Sequence, residues 1–208
     1  MKFRLVTFLF LAFIFTIFSC KDIFDPPASE DTKPSNANQP YIPNSSFNVA
    51  TAEARLFNLV NEQRVQHGKL PLQLRQDLVL VARKHSEDMR DRNFFAHVNP
   101  DGKDVSSRAK AAGIVYDAIG ENLAWSSIPA TNQIDPLQDA VIGWMNHKTK
   151  SLVNEVNSPG HRANILDNVG YTHTGIGIAI KDSIEEAGTQ KIGIRAYYFT
   201  QVFLKPKK

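Results

Sequence analysis

Apolar residues recur along this chain in two rhythms, at helical spacing through most of its length and in alternation near its end, so the pattern separates helices from strands before any motif is considered. Ala52, Leu56, Phe57 and Val60 lie three to four residues apart or adjacent on one face. With Thr51 as cap and Glu53 in the first turn they predict a helix that ends near Gly68. Leu78, Ala82, His85 and Met89 form a second stripe, with Arg83, Lys84, Glu87, Asp88 and Arg90 off it. His85 is on the stripe and is therefore expected as a packed, hydrogen-bonded residue rather than a ligand. A short third helix starts at Asp104 or Ser106 and ends at Gly113. A fourth opens at Asp135-Pro136, an acidic cap followed by proline at the first helical position, and shows Leu137, Val141, Trp144 and Met145 as its apolar face. A fifth follows Ser158, with Pro159 first and Ala163, Ile165 and Leu166 behind it. Thr174 to Ile180 and Gly193 to Phe203 read as strands, and Gly175 and Gly177 inside the first imply that another backbone presses against it. Helices ahead of strands indicate an α+β domain with helices packed on an antiparallel sheet.

The amino-terminal part follows neither rhythm. Lys2 and Arg4 precede an uncharged run from Leu5 to Phe18, 14 residues, too short for the ~20 that span a bilayer as a helix and the right length for a leader core. Residues 1–19 are expected to be a lipoprotein signal peptide. Cys20 is the only cysteine, which excludes internal disulfides. Its place after Ile17-Phe18-Ser19 resembles a lipobox, which implies acylation of the Cys20 sulfur and a membrane as partner; each buried acyl carbon contributes about 0.8 kcal/mol. Residues 20–48 then read as the lipidated cysteine and a tether rich in Pro, Ser and Asn, too polar to repay its own ordering. Lys21-Asp22 resembles surface-export signals of some Gram-negative lipoproteins. The expected location is the bacterial cell envelope, at the outer membrane or cell surface, with the leaflet undecided. Residues 49–205 are left as one domain of ordinary size.

Charge narrows the partners. Loss of Lys2 and Arg4 with the leader lowers the basic count from 24 to 22 against 21 acidic residues, so no electrostatic footprint for nucleic acid is present. There is no His-Glu-x-x-His, Gly-x-Ser-x-Gly, Walker or dinucleotide motif, and no organic cofactor is expected.

Three short segments carry the candidate chemistry. His97 ends Phe94-Phe95-Ala96-His97 and precedes the turn residues Asn99-Pro100-Asp101-Gly102. Glu121 is a carboxylate in the otherwise apolar Gly120-Glu121-Asn122-Leu123-Ala124. His161 follows Ser158-Pro159-Gly160 in the first turn of the fifth helix, flanked by Arg162 and Asn164. A carboxylate beside an imidazole selects which ring nitrogen carries the proton, and two imidazoles with a carboxylate suit zinc or another divalent cation.

In order and content these segments resemble the CAP superfamily of cysteine-rich secretory, antigen 5 and pathogenesis-related proteins in its bacterial form, over roughly Val49 to Phe203. The resemblance implies a three-layer α-β-α sandwich with a central antiparallel sheet and an early strand at Ala118 to Trp125. It also implies that His97, Glu121 and His161 meet in one pocket, with His97 and His161, and Glu121 as a third, open to a metal ion. A second glutamate, three residues beyond the helical tryptophan in many relatives, is here His147. Bacterial relatives pass from Trp-Met almost directly to Ser-Pro-Gly-His, whereas this chain inserts 11 residues, His147 to Asn157. Continued as helix they make about three turns, carrying Leu152 and Val156 on the Met145 face; a surface loop is the other form. His147, Glu155 and Ser158 stay open for the fourth pocket position. The function expected is a lipid-anchored binding module for an extracellular lipid, wall fragment or protein. The rival is a metal-assisted envelope hydrolase, a peptidase or esterase, using the same pocket.

Overall fold

The computed structural model describes residues 47–129, 134–146, 149–150, 155–156, 159–166 and 169–208. The expected leader, Cys20 and the tether through Ser46 lie outside them.

The first helix, α1, spans Val49–Gln66 and begins one turn earlier than its apolar stripe suggests. Asn48, not Thr51, is the cap: it has extended backbone angles, and its Oδ1 accepts from Thr51 N at 2.9 Å. Glu53 consequently falls inside the helix. There it is buried, accepts a fork from Arg83, and takes Ile178 N–H at 3.1 Å. A two-residue strand β1 (Gln73–Leu74) leads to α2 (Gln76–Asp91), which buries Leu78, Ala82, His85 and Met89 as the stripe predicts, and Val81 beside them. α3 (Val105–Ala111) is capped by Asp104, whose side chain accepts from Ser107 N at 2.7 Å. Strand β2 (Tyr116–Pro129) follows, then α4 (Pro136–Asn146) with Asp135 accepting from Leu137 N. Helix α4 ends at Asn146. In place of a continued helix, β3 (Thr149–Lys150) pairs antiparallel with β4 (Glu155–Val156), so the helical form of the insertion is corrected. α5 (Pro159–Leu166) opens at proline, and β5 (His173–Ala187) and β6 (Gln190–Pro206) close the fold as a long hairpin.

The main sheet runs β1-β5-β6-β2, with β2–β6 and β5–β6 antiparallel and β1–β5 parallel. Helices cover both faces, which makes the α-β-α sandwich. Leu56 and Val60 of α1, Val141 and Trp144 of α4 and Ile165 of α5 pack with Ile176, Ile178, Tyr197, Phe199 and Phe203 on one side. Leu78 and Ala82 of α2 and Ala109 of α3 pack with Val202 and Leu204 on the other. On that second face α2 comes closer to the sheet than side chains ordinarily permit. A Cβ on Gly175 would sit 2.3 Å from the carbonyl carbon of Leu78, and one on Gly177 2.0 Å from Arg83 N. The two glycines therefore replace a layer of side chains with direct backbone contact. Ser86 fills the seam, its Oγ hydrogen-bonding Gly177 O at 2.9 Å and Thr200 Oγ1 at 2.8 Å.

Candidate functional site

Edge strand β2 organises the site because its residues alternate between the two faces of the sheet. Ile119, Leu123 and Trp125 turn toward the α2 side, whereas Ala118, Ala124 and Ile128 turn toward α4 and α5. Between them, Glu121 is directed to the first side and Asn122 to the second.

On the α2 side Glu121 meets His97. His97 Nδ1 lies 2.8 Å from Glu121 Oε1, and the other carboxylate oxygen, Oε2, accepts from Arg108 Nη2. The carboxylate is almost fully enclosed, its side chain 2 % exposed, against 10 % for Arg108 and 55 % for His97. A closed ion pair thus supports an imidazole that reaches the surface. Arg108 Nη1 also donates to His97 O at 2.9 Å and Lys103 O at 2.8 Å, closing the turn that follows His97. Inside that turn Asn99 Oδ1 accepts from Asp101 N and Lys103 N, while Arg92 bridges Asp88 of α2 and Asp101.

His85 supports the same segment from beneath. It is 1 % exposed, and its Nε2 lies 3.0 Å from Ala96 O, so Nε2 carries the proton. Burial holds its imidazole below the ordinary 6.5; Glu121 pulls it up and Arg108 pushes it down. Because the folded-state value is depressed, the unfolded chain takes up the proton first, and the contribution of neutral His85 to stability is lost as pH falls from about 6.5 toward the folded value. His85→Gln, which keeps a donor toward Ala96 O, is expected to flatten the decline of the urea midpoint between about pH 7.5 and 5.5. A decline as steep as in the unaltered protein would place the acid sensitivity elsewhere.

On the opposite side α5 docks against the same two residues of β2. Asn122 Nδ2 donates to His161 O at 3.1 Å, Asn164 Nδ2 donates to Asn122 Oδ1 at 2.9 Å, and Asn164 Nδ2 also reaches Glu121 O at 3.3 Å. Gly120 makes this approach possible, since a Cβ there would stand 2.6 Å from the Tyr171 hydroxyl and 3.3 Å from Asn164 Oδ1. The structure therefore brings His97 and Glu121 into direct contact, and from the other layer brings the main-chain carbonyl of His161 to Asn122.

Of the residues left open for a fourth position, His147 and Ser158 lie outside the described residues, and Glu155 is placed only by the backbone of β4. Among the described residues no group of three or more His, Cys, Asp and Glu is arranged to hold a metal ion. Both oxygens of Glu121 are hydrogen-bonded within the protein, one of them to His97, whose ring the carboxylate thereby orients. Sequence reasoning missed Arg108. Its signal was present but faint: a lone arginine four residues after the Asp104 cap, on a helix only seven residues long.

Comparison with known proteins gives the family and the fold. A family model, CAP: Cysteine-rich secretory protein family, matches residues 57–203. Among curated relatives, Bacillus subtilis YkwD is 35% identical over 136 residues, 65% of this chain and 46% of its own length. The Bacillus subtilis membrane protein YlbC is 31% identical over 155 residues, 74% of this chain and 35% of its own length. The chain thus spans less than half of either relative. Among solved structures, an extracellular protein containing a SCP domain from Bacillus anthracis superposes with a TM-score of 0.51 at 26% identity, covering 76% of this chain and 41% of that one. An outer surface protein from Borrelia burgdorferi shares the fold, with a TM-score of 0.51 at 18% identity over 76% of this chain and 94% of its own.

Proposed function

The chain belongs to the cysteine-rich secretory protein (CAP) family, and from that premise we propose that it is an envelope binding module, tethered through acylated Cys20, that offers His97 to an extracellular ligand. The observation that carries this reading is the division of labour at His97. Its inner nitrogen is tied to an enclosed carboxylate, its ring is half exposed, and Nε2 has no partner among the described residues. Such an imidazole presents one oriented acceptor at the surface. Its sequence neighbours Phe95 and Val98 are half exposed as well, so an amphipathic ligand finds apolar contact beside the polar one. The extracellular character of the Bacillus anthracis neighbour and the membrane setting of YlbC support an envelope location.

A second reading, a metal-assisted hydrolase, draws on one feature of the same site: a carboxylate–imidazole pair is a common support for a metal ligand. Zinc would be held by His97 Nε2 together with His161, with Glu121 orienting the first, and would supply a polarised water. The protein purified without chelator, analysed by native mass spectrometry for metal and co-purifying small molecules, distinguishes the two. A lipid or wall-derived molecule lost in His97→Ala supports the binding module. Stoichiometric zinc, with ester or peptide cleavage abolished by the same substitution, would replace it with the hydrolase. His97→Ala itself should leave the protein folded at a cost of about 1 kcal/mol or less, because the side chain is half exposed and the Arg108–Glu121 pair survives it.

The anchor has its own test. Cys20→Ser is expected to abolish incorporation of labelled fatty acid and the membrane association that depends on it; equal labelling of the variant would remove acylation from the proposal.

A further inference from the structure

We propose that Arg108 is the positioning residue of this site: from α3 it holds both the main chain of His97 and the carboxylate to which that imidazole is tied, and so presents Nε2 as a bare acceptor. The proposal rests on the reading that His97 meets the ligand. Its support lies in where the guanidinium spends its hydrogen bonds. Nη2 goes to Glu121 Oε2, and Nη1 goes to the carbonyls of His97 and Lys103, which bracket the turn after His97. Nε is buried with no partner among the described residues. An enclosed guanidinium with an unsatisfied Nε is costly, and α3 already packs into the core through Ala109, so the buried cation serves the site more than the helix.

The chemistry follows from what each group is able to do. A guanidinium only donates, so Glu121 Oε2 must accept from it, and the carboxylate is held as an acceptor toward His97 as well. A neutral His97 then carries its proton on Nδ1. Nε2, on the exposed ring, is left as a lone pair for a ligand donor or a metal ion. Free imidazole side chains in water favour the opposite tautomer, with the proton on Nε2, so the preference at His97 has to be imposed by the site. A hydrogen bond to a charged acceptor is strong enough to shift an equilibrium by more than about tenfold.

Ring-nitrogen NMR on the full mature chain with 15N-labelled histidine reads this directly. At neutral to mildly basic pH the unaltered protein is expected to show His97 in the Nδ1–H form by about tenfold or more. In Arg108→Met the ratio should fall to within about twofold of free histidine, and Arg108→Lys, which reaches the carboxylate but lacks the planar fork to both carbonyls, should recover part of it. A folded Arg108→Met protein that keeps the Nδ1–H form would overturn the proposal. Should Arg108→Met fail to fold, the unaltered protein still decides: an Nε2–H or mixed His97 contradicts the geometry on which the role of Arg108 depends. The tautomer is read without any ligand. An Nδ1–H ring that responds to Arg108, in a protein with no co-purifying ligand and no shift of the His97 signals on adding zinc chloride, therefore sustains the positioning role while the binding reading alone fails.

Discussion

Replacing Glu121 with alanine is expected to destabilise the fold by about 3–5 kcal/mol, roughly a fifth or more of the stability of a typical domain. The carboxylate is almost completely enclosed, and its loss leaves the Arg108 guanidinium nearly as deeply buried with no counter-charge. The attraction within such a pair does not greatly exceed the cost of desolvating both ions, so removing the whole pair is far milder than removing half of it. Arg108→Met together with Glu121→Ala should accordingly recover a large part of the loss seen in either single variant, with a coupling of about 1–3 kcal/mol. Urea midpoints of the two single variants and the double variant measure it. A loss below about 1 kcal/mol for Glu121→Ala would mean that the pair is not formed in solution.

Gly177→Ala is expected to cost about 3 kcal/mol or more, the second largest effect of a single change. The added methyl would lie 2.0 Å from Arg83 N and 2.3 Å from Ala82 C and Arg83 Cα, all of them helix backbone, so no side-chain rotation relieves the contact. Helix α2 has to lift from the sheet, opening the contacts of Ala82 with the core and the Ser86 hydrogen bonds to Gly177 and Thr200. Gly188 provides the control. It lies in the turn between β5 and β6 with φ +65° and open space around it, so Gly188→Ala should show only the strain of a left-handed alanine, about 1–2 kcal/mol. Equal losses at the two positions would show that the seam between α2 and β5 yields more readily than its spacing implies.

The fold was largely legible because its helices bury one stripe each and its strands are marked by β-branched and aromatic residues. The apolar positions of α2 and α4 found their buried partners as spaced, and the glycines of β5 predicted a close backbone. What escaped was short or conditional. β1 is two residues long, too brief for any period to register, and exists only because β5 lies beside it. Glu53 looked like a helix-start acid, yet it covers the N–H of Ile178 and pairs with Arg83, a role that needs two elements far apart in the chain. The insertion after Asn146 had an apolar spacing compatible with helix, yet its described residues, Thr149–Lys150 and Glu155–Val156, pair as strands, since local spacing alone does not hold a helix that tertiary contacts fail to support.

At the candidate site the sequence by itself determined the chemical groups. An imidazole before a turn, a carboxylate among apolar neighbours and a second imidazole behind Ser-Pro-Gly are properties of residue order, and so is their resemblance to one family. Only the tertiary structure decided how those groups divide their bonds. Alternation along β2 sends Glu121 to the α2 side and Asn122 to the α5 side, so His97 meets the carboxylate while His161 arrives through its main chain. It also brought in Arg108, 13 residues before Glu121 and on a helix too short to signal a role. A spacing pattern records which face of its own element a residue occupies. It does not record which partner waits there, because a hydrogen bond between elements is fixed by the packing of both, and that packing is settled by the whole core.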